Sequence, residues 1–286
     1  MEEINHNRFV PNVHFEQIPI KNLVSNQKYQ RNLSQRHIQR TINNFDVYQI
    51  NPVKISRRDG MNYVVNGQHT IEIVATVSGS RDTPVWCMVY DDMEYRHEAD
   101  IFANQQKYVR ALTAYEIFRA NIEAGNDDQL LIRDLVESFK LKIGSSSGEC
   151  VICAVGALEE IYGKYGFHVL RRTLKLCVAA WEGDRYSLSG NILKGIAKLV
   201  DTYDDMVRDD YFIEKLSHFS VKEITRSARE RGGGTKGYAE AVLAVYNRKL
   251  KSPLDSAELN KTAKRVRAVD RQGEENAPGD DGVVWR

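Results

Sequence analysis

The sequence predicts an α+β protein: a small mixed α/β domain over residues 10–108, then an all-α helical domain over 110–250. Strand-like and helix-like segments alternate up to about residue 95. Beyond that point the strand signal fades and apolar residues recur at helical spacing. The later connections, "AGNDD", "GSSSGE" and "EGDRYS", are short and polar, as between helices of a bundle.

"HFEQIPI" (14–20) reads as the first strand. "SQRHIQRTINNF" (34–45) reads as a helix, with Ser34 as N-cap and Ile38, Ile42 and Phe45 on one face. "NPVKISRRDGMNYVVNG" (51–67) reads as a hairpin turning at Asp59-Gly60, a strong short-range turn signal. "GQHTIEIVATVSG" follows as a short helix with Ile71, Val74 and Ala75 on one face and Gly79 at its end. "TPVWCMVY" (83–90) reads as a buried strand, with helix from about residue 95. The expected order is therefore β-α-β-β-α-β.

In the second domain, four sets of residues fall on helical faces: Tyr115, Phe118 and Ile122; Val151, Ala154, Val155, Leu158 and Ile161; Leu170, Leu174, Cys177, Val178 and Trp181; and Ile192, Ile196, Leu199 and Tyr203. About six or seven helices are expected. Residues 251–286, ending in "GEENAPGDDG", lack apolar periodicity and are expected to form a disordered tail, with one short helix around "SAELNKTAKRVRAV".

Composition narrows the function classes. Hydrophobic residues make up 42% and charged residues 28%, a soluble globular balance. A net charge of +1 gives no global electrostatic case for nucleic acid or membrane, and leaves room only for a local basic face. No apolar run reaches the about 18 residues of a membrane helix. "MEEINHNRFVPN" lacks a secretory start, so a cytoplasmic protein is expected. Cys87, Cys150, Cys153 and Cys177 are too scattered for a disulfide framework. Cys150 and Cys153 form a CxxC without a second pair. "CVICAVGALEEIY" reads as helix, so packing outweighs metal or redox chemistry there.

The chemistry concentrates at "YVVNGQHTIEIVA" (63–75), where a strand gives way to a helix at Gly67. A helix N-terminus carries backbone N–H groups and partial positive charge, and a glycine before it lets an anion approach closely. A histidine two residues on can donate to a phosphate oxygen. Turn glycines and surface histidines are common, so this junction alone is a weak signal.

Its neighbours strengthen it. "IPIKNLVSNQKYQR" (18–31), "INPVKI" (50–55), "YVVNGQHT" (63–70) and "EADIFANQQKY" (98–108) follow in an order that resembles the ParB/sulfiredoxin superfamily of nucleotide-binding domains. The resemblance covers residues 14–110. It implies that Gly67, Gln68 and His69 line nucleotide phosphates and that Thr70 adds a hydroxyl. It implies that Arg31 contacts phosphate or braces the site. Asn104 would help hold Mg²⁺ and phosphate, and Gln106 and Lys107 match the end of the same signature. A nucleotide triphosphate such as CTP, bound with Mg²⁺, is the implied ligand, with DNA and a homodimer as further expected partners.

The departures are equally specific. Thr70 stands where the second arginine of the ParB motif belongs, and Ala103 where a glutamate tied to hydrolysis belongs. Gln68 replaces the sulfiredoxin cysteine, which removes sulfinic-acid repair. Glu72 lies one turn after the motif, without an assignable catalytic role. The resemblance therefore implies binding as a switch or clamp, with little or no turnover.

"RERGGGTKGYAEA" (229–241) lacks the strand and the Gly-Lys-Ser/Thr ending of a P-loop and reads as a turn between helices. Arg226, Arg229, Arg231 and Lys236 are candidates for DNA contact, followed by Arg248, Lys249 and Lys251, with Arg171, Arg172 and Lys175 as a second cluster. Solvated helix faces explain both clusters equally. "DLVESFKLKIGSSSGECVICAVGALEEI" lies where a ParB helix-turn-helix would follow, but lacks a tight turn. The second domain resembles helical extensions fused to ParB-like domains in phages and mobile elements. Two other readings stay open: a phosphotransferase or phosphohydrolase using the same pocket, and a helical interaction protein whose α/β domain is structural.

Overall fold

A computed structural model describes residues 12–26, 30, 32–91, 93–105, 107 and 109–260. The protein is α+β and divides into two units, one ending at Ala111 and one beginning at Leu112.

The first unit is built on a sheet of five strands: β1 (Val13–Pro19), β2 (Leu23–Ser25), β3 (Val53–Arg58), β4 (Met61–Asn66) and β5 (Pro84–Tyr90), in spatial order β1-β5-β3-β4-β2. β1 runs antiparallel to β5, β5 parallel to β3, β3 antiparallel to β4, and β4 parallel to β2. The hairpin between β3 and β4 turns at Asp59 and Gly60, both with positive φ (52° and 73°), as a right-twisted two-residue turn requires. Among the described residues, three α-helices complete the unit: α1 (Gln35–Ile42), α2 (Gln68–Ser78) and α3 (Tyr95–Asn104). Ser34 caps α1, its Oγ accepting from His37 N. Gly79 ends α2 in the left-handed region.

β2 adds a strand to the expected order. Its three residues are too short for periodicity to register, and it exists through its parallel pairing with β4. β5 is not buried on both faces: Val85, Cys87 and Val89 face the core while Trp86 is 55% exposed. The core of this unit joins Ile18, Ile20, Val53, Ile55, Val64 and Ile71 to those three β5 residues. Burial holds the Cys87 thiol up at about 11, so it is an inert core residue.

Among the described residues, the second unit holds eight α-helices: α4 (Ala114–Glu123), α5 (Asp127–Ser138), α6 (Val155–Tyr165), α7 (Phe167–Trp181), α8 (Gly190–Tyr203), α9 (Asp209–Ser217), α10 (Val221–Glu230) and α11 (Gly234–Tyr246). It is not purely α. β6 (Lys142–Ile143) and β7 (Val151–Ile152) pair in parallel within the segment expected to be helical. Cys150 sits at φ 58°, outside the helical region, so Cys150 and Cys153 do not share a helix face. α6 begins only at Val155.

α8 and α11 cross closely at Gly195, where a Cβ would lie 2.6 Å from that of Tyr238. α10 and α11 meet at Gly237, where a Cβ would lie 2.8 Å from Ala228 O. Three glycines with positive φ, Gly232 to Gly234, turn the chain between those helices, so "RERGGG" is a turn after a helix. Residues 251–260, expected in the tail, instead pack here. Leu259 is buried, Asn247 clamps Leu254 through both main-chain groups, and the Tyr203 hydroxyl donates to Asp255 O at 2.6 Å. Residues 261–286 lie outside the described residues, with most of the expected short helix. Among the described residues, no helix is long and apolar enough to cross a membrane.

Candidate functional site

The site forms where β4 gives way to α2. Gly67 adopts φ 110° and ψ 14°, which favours glycine, and its carbonyl accepts the first helical bond of α2, from Ile71 N at 3.0 Å. As N-cap residue, Gly67 offers no side-chain cap to the helix. A Cβ at Gly67 would come within 3.2 Å of both Val53 methyls. The junction thus sets the positive end of the helix dipole at a residue with no side chain of its own.

A cavity of about 350 Å³ opens at this point. Gly67, Gln68, His69 and Thr70 line it, together with Asn66. Three lining residues had no sequence signal: Gln30, His37 and Gln105. Gln30 is 7% exposed and its Nε2 donates to Val64 O, which leaves Oε1 as the acceptor end. The Oε1 atoms of Gln30 and Gln105 are both buried without a hydrogen-bond partner. A buried amide oxygen without a donor costs about 1–3 kcal/mol, so two in one cavity require explanation.

His69 joins the starts of α1 and α2. Its Nε2 accepts from Ser34 N at 3.1 Å, which puts the ring proton on Nδ1. Any donation to an anion by neutral His69 therefore comes from Nδ1. The His37 ring stands edge-on to it, with centroids 5.3 Å apart. The same helix start thus contributes Ser34 as cap, His37 as lining and a backbone amide to His69.

α3 supplies Phe102 and Ala103 to the cavity, together with its C-cap residue Gln105. It is pinned by Glu98, wholly buried, whose carboxylate accepts from Arg58 Nε at 3.1 Å. The Arg58 guanidinium lies over the Tyr63 ring at 4.3 Å, and the ion pair holds its pKa above the ordinary arginine value. Ser56 Oγ, also buried, donates to Met93 O just before the helix.

The other expected residues fall as follows. Asn104 does not line this cavity: its Nδ2 donates to the Asp100 carbonyl at 3.0 Å and to its carboxylate at 2.9 Å. Among the described residues no three His, Cys, Asp or Glu side chains group as a metal site. Arg31 and Gln106 lie outside the described residues, and Lys107 caps the end of α3 through its amide to Asn104 O. Glu72 is engaged by Arg81 through two hydrogen bonds, at 2.8 and 3.1 Å.

The basic clusters separate by role. Arg172 and Lys175 both bind Asp209, and Arg172 also donates to main-chain oxygens of Asp204 and Val207, so they hold the fold. Lys236 pairs with Glu240 along α11. Arg226, Arg229 and Arg231 are exposed on and just after α10.

Fold and site together define an α+β protein with a polar cavity at a strand–helix junction. The chain belongs to the family described as "Family of unknown function (DUF6551)", which matches residues 24–256. No curated protein matches it. Among solved structures it is similar to the C-terminally truncated chromosome-partitioning protein ParB from Caulobacter crescentus, complexed with CTP-gamma-S. That similarity has 13% identity and a TM-score of 0.34, and covers 82% of this chain and 97% of that one.

Proposed function

We propose that the α/β unit binds a nucleotide, with its phosphates at the α2 N-terminus over Gly67–Thr70. One observation carries the reading: a single cavity joins the start of α2 to the unpartnered buried oxygens of Gln30 and Gln105. The first end suits an anion, and the second demands N–H or O–H donors. A nucleotide offers both, through its phosphates and through its sugar hydroxyls and base. The cavity volume lies at the small end of ligand sites.

The described polar lining groups are amides, imidazoles, the Thr70 hydroxyl and backbone, which bind and orient. The proposed role is a nucleotide-dependent switch or clamp, with a triphosphate such as CTP as ligand and DNA and a second copy as partners. A magnesium ion would enter with the phosphates, since Asn104 is turned to Asp100.

Calorimetric titration of the full chain with CTP, ATP, GTP and ADP, each with and without Mg²⁺, tests this. At least one nucleotide binds, His69→Ala weakens it about tenfold, and Gly67→Val abolishes it. Absence of heat with all four, or unchanged binding in Gly67→Val, overturns the reading.

A further inference from the structure

A second candidate site lies wholly in the helical unit. α10 places Lys222, Arg226 and Arg229 at i, i+4 and i+7, on one exposed stripe, while Val221, Ile224 and Ala228 face the core. No ion pair engages these three cations among the described residues, unlike Arg172, Lys175 and Lys236. The stripe spans about 10 Å of helix, room for about three phosphates of one strand.

Beside it stands Tyr186, 44% exposed, on the loop between α7 and α8. The Arg185 guanidinium lies 4.6 Å from its ring centre and Lys222 Nζ 5.7 Å. Asp184 fixes the loop by accepting from the amides of Tyr186 and Ser187 at 2.9 and 3.2 Å. Two cavities, of about 620 and 500 Å³, share Tyr186 and Lys222 in their walls. One continues along Arg226 and Arg229. Acids are present too. Glu223 is held in the α10 capping box, Asp184 in its turn, and Glu182 and Glu230 lie at the walls.

We propose that this groove binds single-stranded nucleic acid, with Tyr186 stacking on a base and Lys222, Arg226 and Arg229 following the phosphates. An exposed aromatic ring with cations and a phosphate-spaced stripe beside it is the arrangement that grips an unpaired strand. A duplex would use the stripe and leave the ring idle, because its bases are already stacked. An acidic peptide would use the cations and gain nothing from the ring's flat face.

The test is fluorescence anisotropy of the full chain with labelled DNA of about 15 nucleotides, single-stranded and duplex, at about 50 mM salt. Single strands bind, and log affinity falls with log salt at a slope of about −2, from about three phosphates. Tyr186→Ala weakens binding about tenfold while Tyr186→Phe keeps it. Arg226→Glu with Arg229→Glu removes it. These side chains are exposed, and unchanged thermal melting confirms folding of each variant. Failure of single strands to bind, tighter binding of the duplex, no effect of Tyr186→Ala, or full displacement by a polyglutamate peptide overturns the proposal.

Discussion

The two units handle buried polarity differently. Among the described residues, the core of the α/β unit joins nine apolar side chains, and that of the helical unit thirty-seven. In the α/β unit both unpartnered buried atoms, on Gln30 and Gln105, line one cavity. In the helical unit the unpartnered atoms are hydroxyls of Tyr165, a core member, and of Thr173, fully buried on α7. A large core absorbs an isolated unmet hydroxyl with little consequence. Two unmet amide oxygens on one cavity beside a small core are the groups that the proposed nucleotide would satisfy.

The largest effect expected on this contrast comes from Arg58→Met. It takes the Arg58 guanidinium from the buried Glu98 carboxylate and destabilises the unit. Amide exchange of β3, β4 and α3 should accelerate while the helical unit is unchanged. Exchange that rises equally in both units would erase the distinction.

Gly195→Ala is the counterpart in the helical unit. A methyl there meets Tyr238 Cβ at 2.6 Å, so overpacking between α8 and α11 should cost about 1–3 kcal/mol in denaturant unfolding. Nucleotide affinity should not move.

Gln105→Leu sharpens the comparison because its two effects have opposite signs. Replacing an unmet buried acceptor with an apolar side chain should leave stability equal or raise it by about 1 kcal/mol. Nucleotide binding should weaken. A stability loss with unchanged binding would assign Gln105 to the fold.

The smallest effect is a pH dependence confined to the helical unit. Burial acts to raise the Asp209 pKa, but hydrogen bonds from Lys175 and Arg172 outweigh it and hold the carboxyl below its ordinary value. A depressed folded pKa gives stability that is complete above the unfolded pKa, about 3.9, and is lost as pH falls toward the folded value. Asp209→Asn should cost about 1 kcal/mol at neutral pH and flatten the melting temperature below about pH 4.

What the sequence made legible follows from how local each signal is. The Asp59-Gly60 turn, the Ser34 cap and the Gly79 stop depend on residues within one turn, and each stands in the structure where its chemistry places it. Gly67 was legible for the same reason: a strand–helix junction needs a residue tolerant of positive φ. Gln30, His37 and Gln105 carry no local signal, because a glutamine becomes an unmet acceptor only when other elements bury it. The β6–β7 pair was hidden because the apolar spacing of Val151, Ala154 and Val155 fits a helix, while the positive φ of Cys150 depends on its amide bonding to Gly183 O at 2.9 Å. Asn104 stands at one position of a motif, and the partner its amide finds, Asp100 four residues back, is set by the helix.

The central claim is that the start of α2 receives a phosphate. Backbone amide exchange of Gln68, His69 and Thr70, measured by NMR on the full chain with and without about 1 mM nucleotide, tests it most directly. The account predicts that these three amides slow on nucleotide addition while those of α8 and α11 do not change. Unaltered exchange at all three, or protection confined to the helical unit, would contradict it.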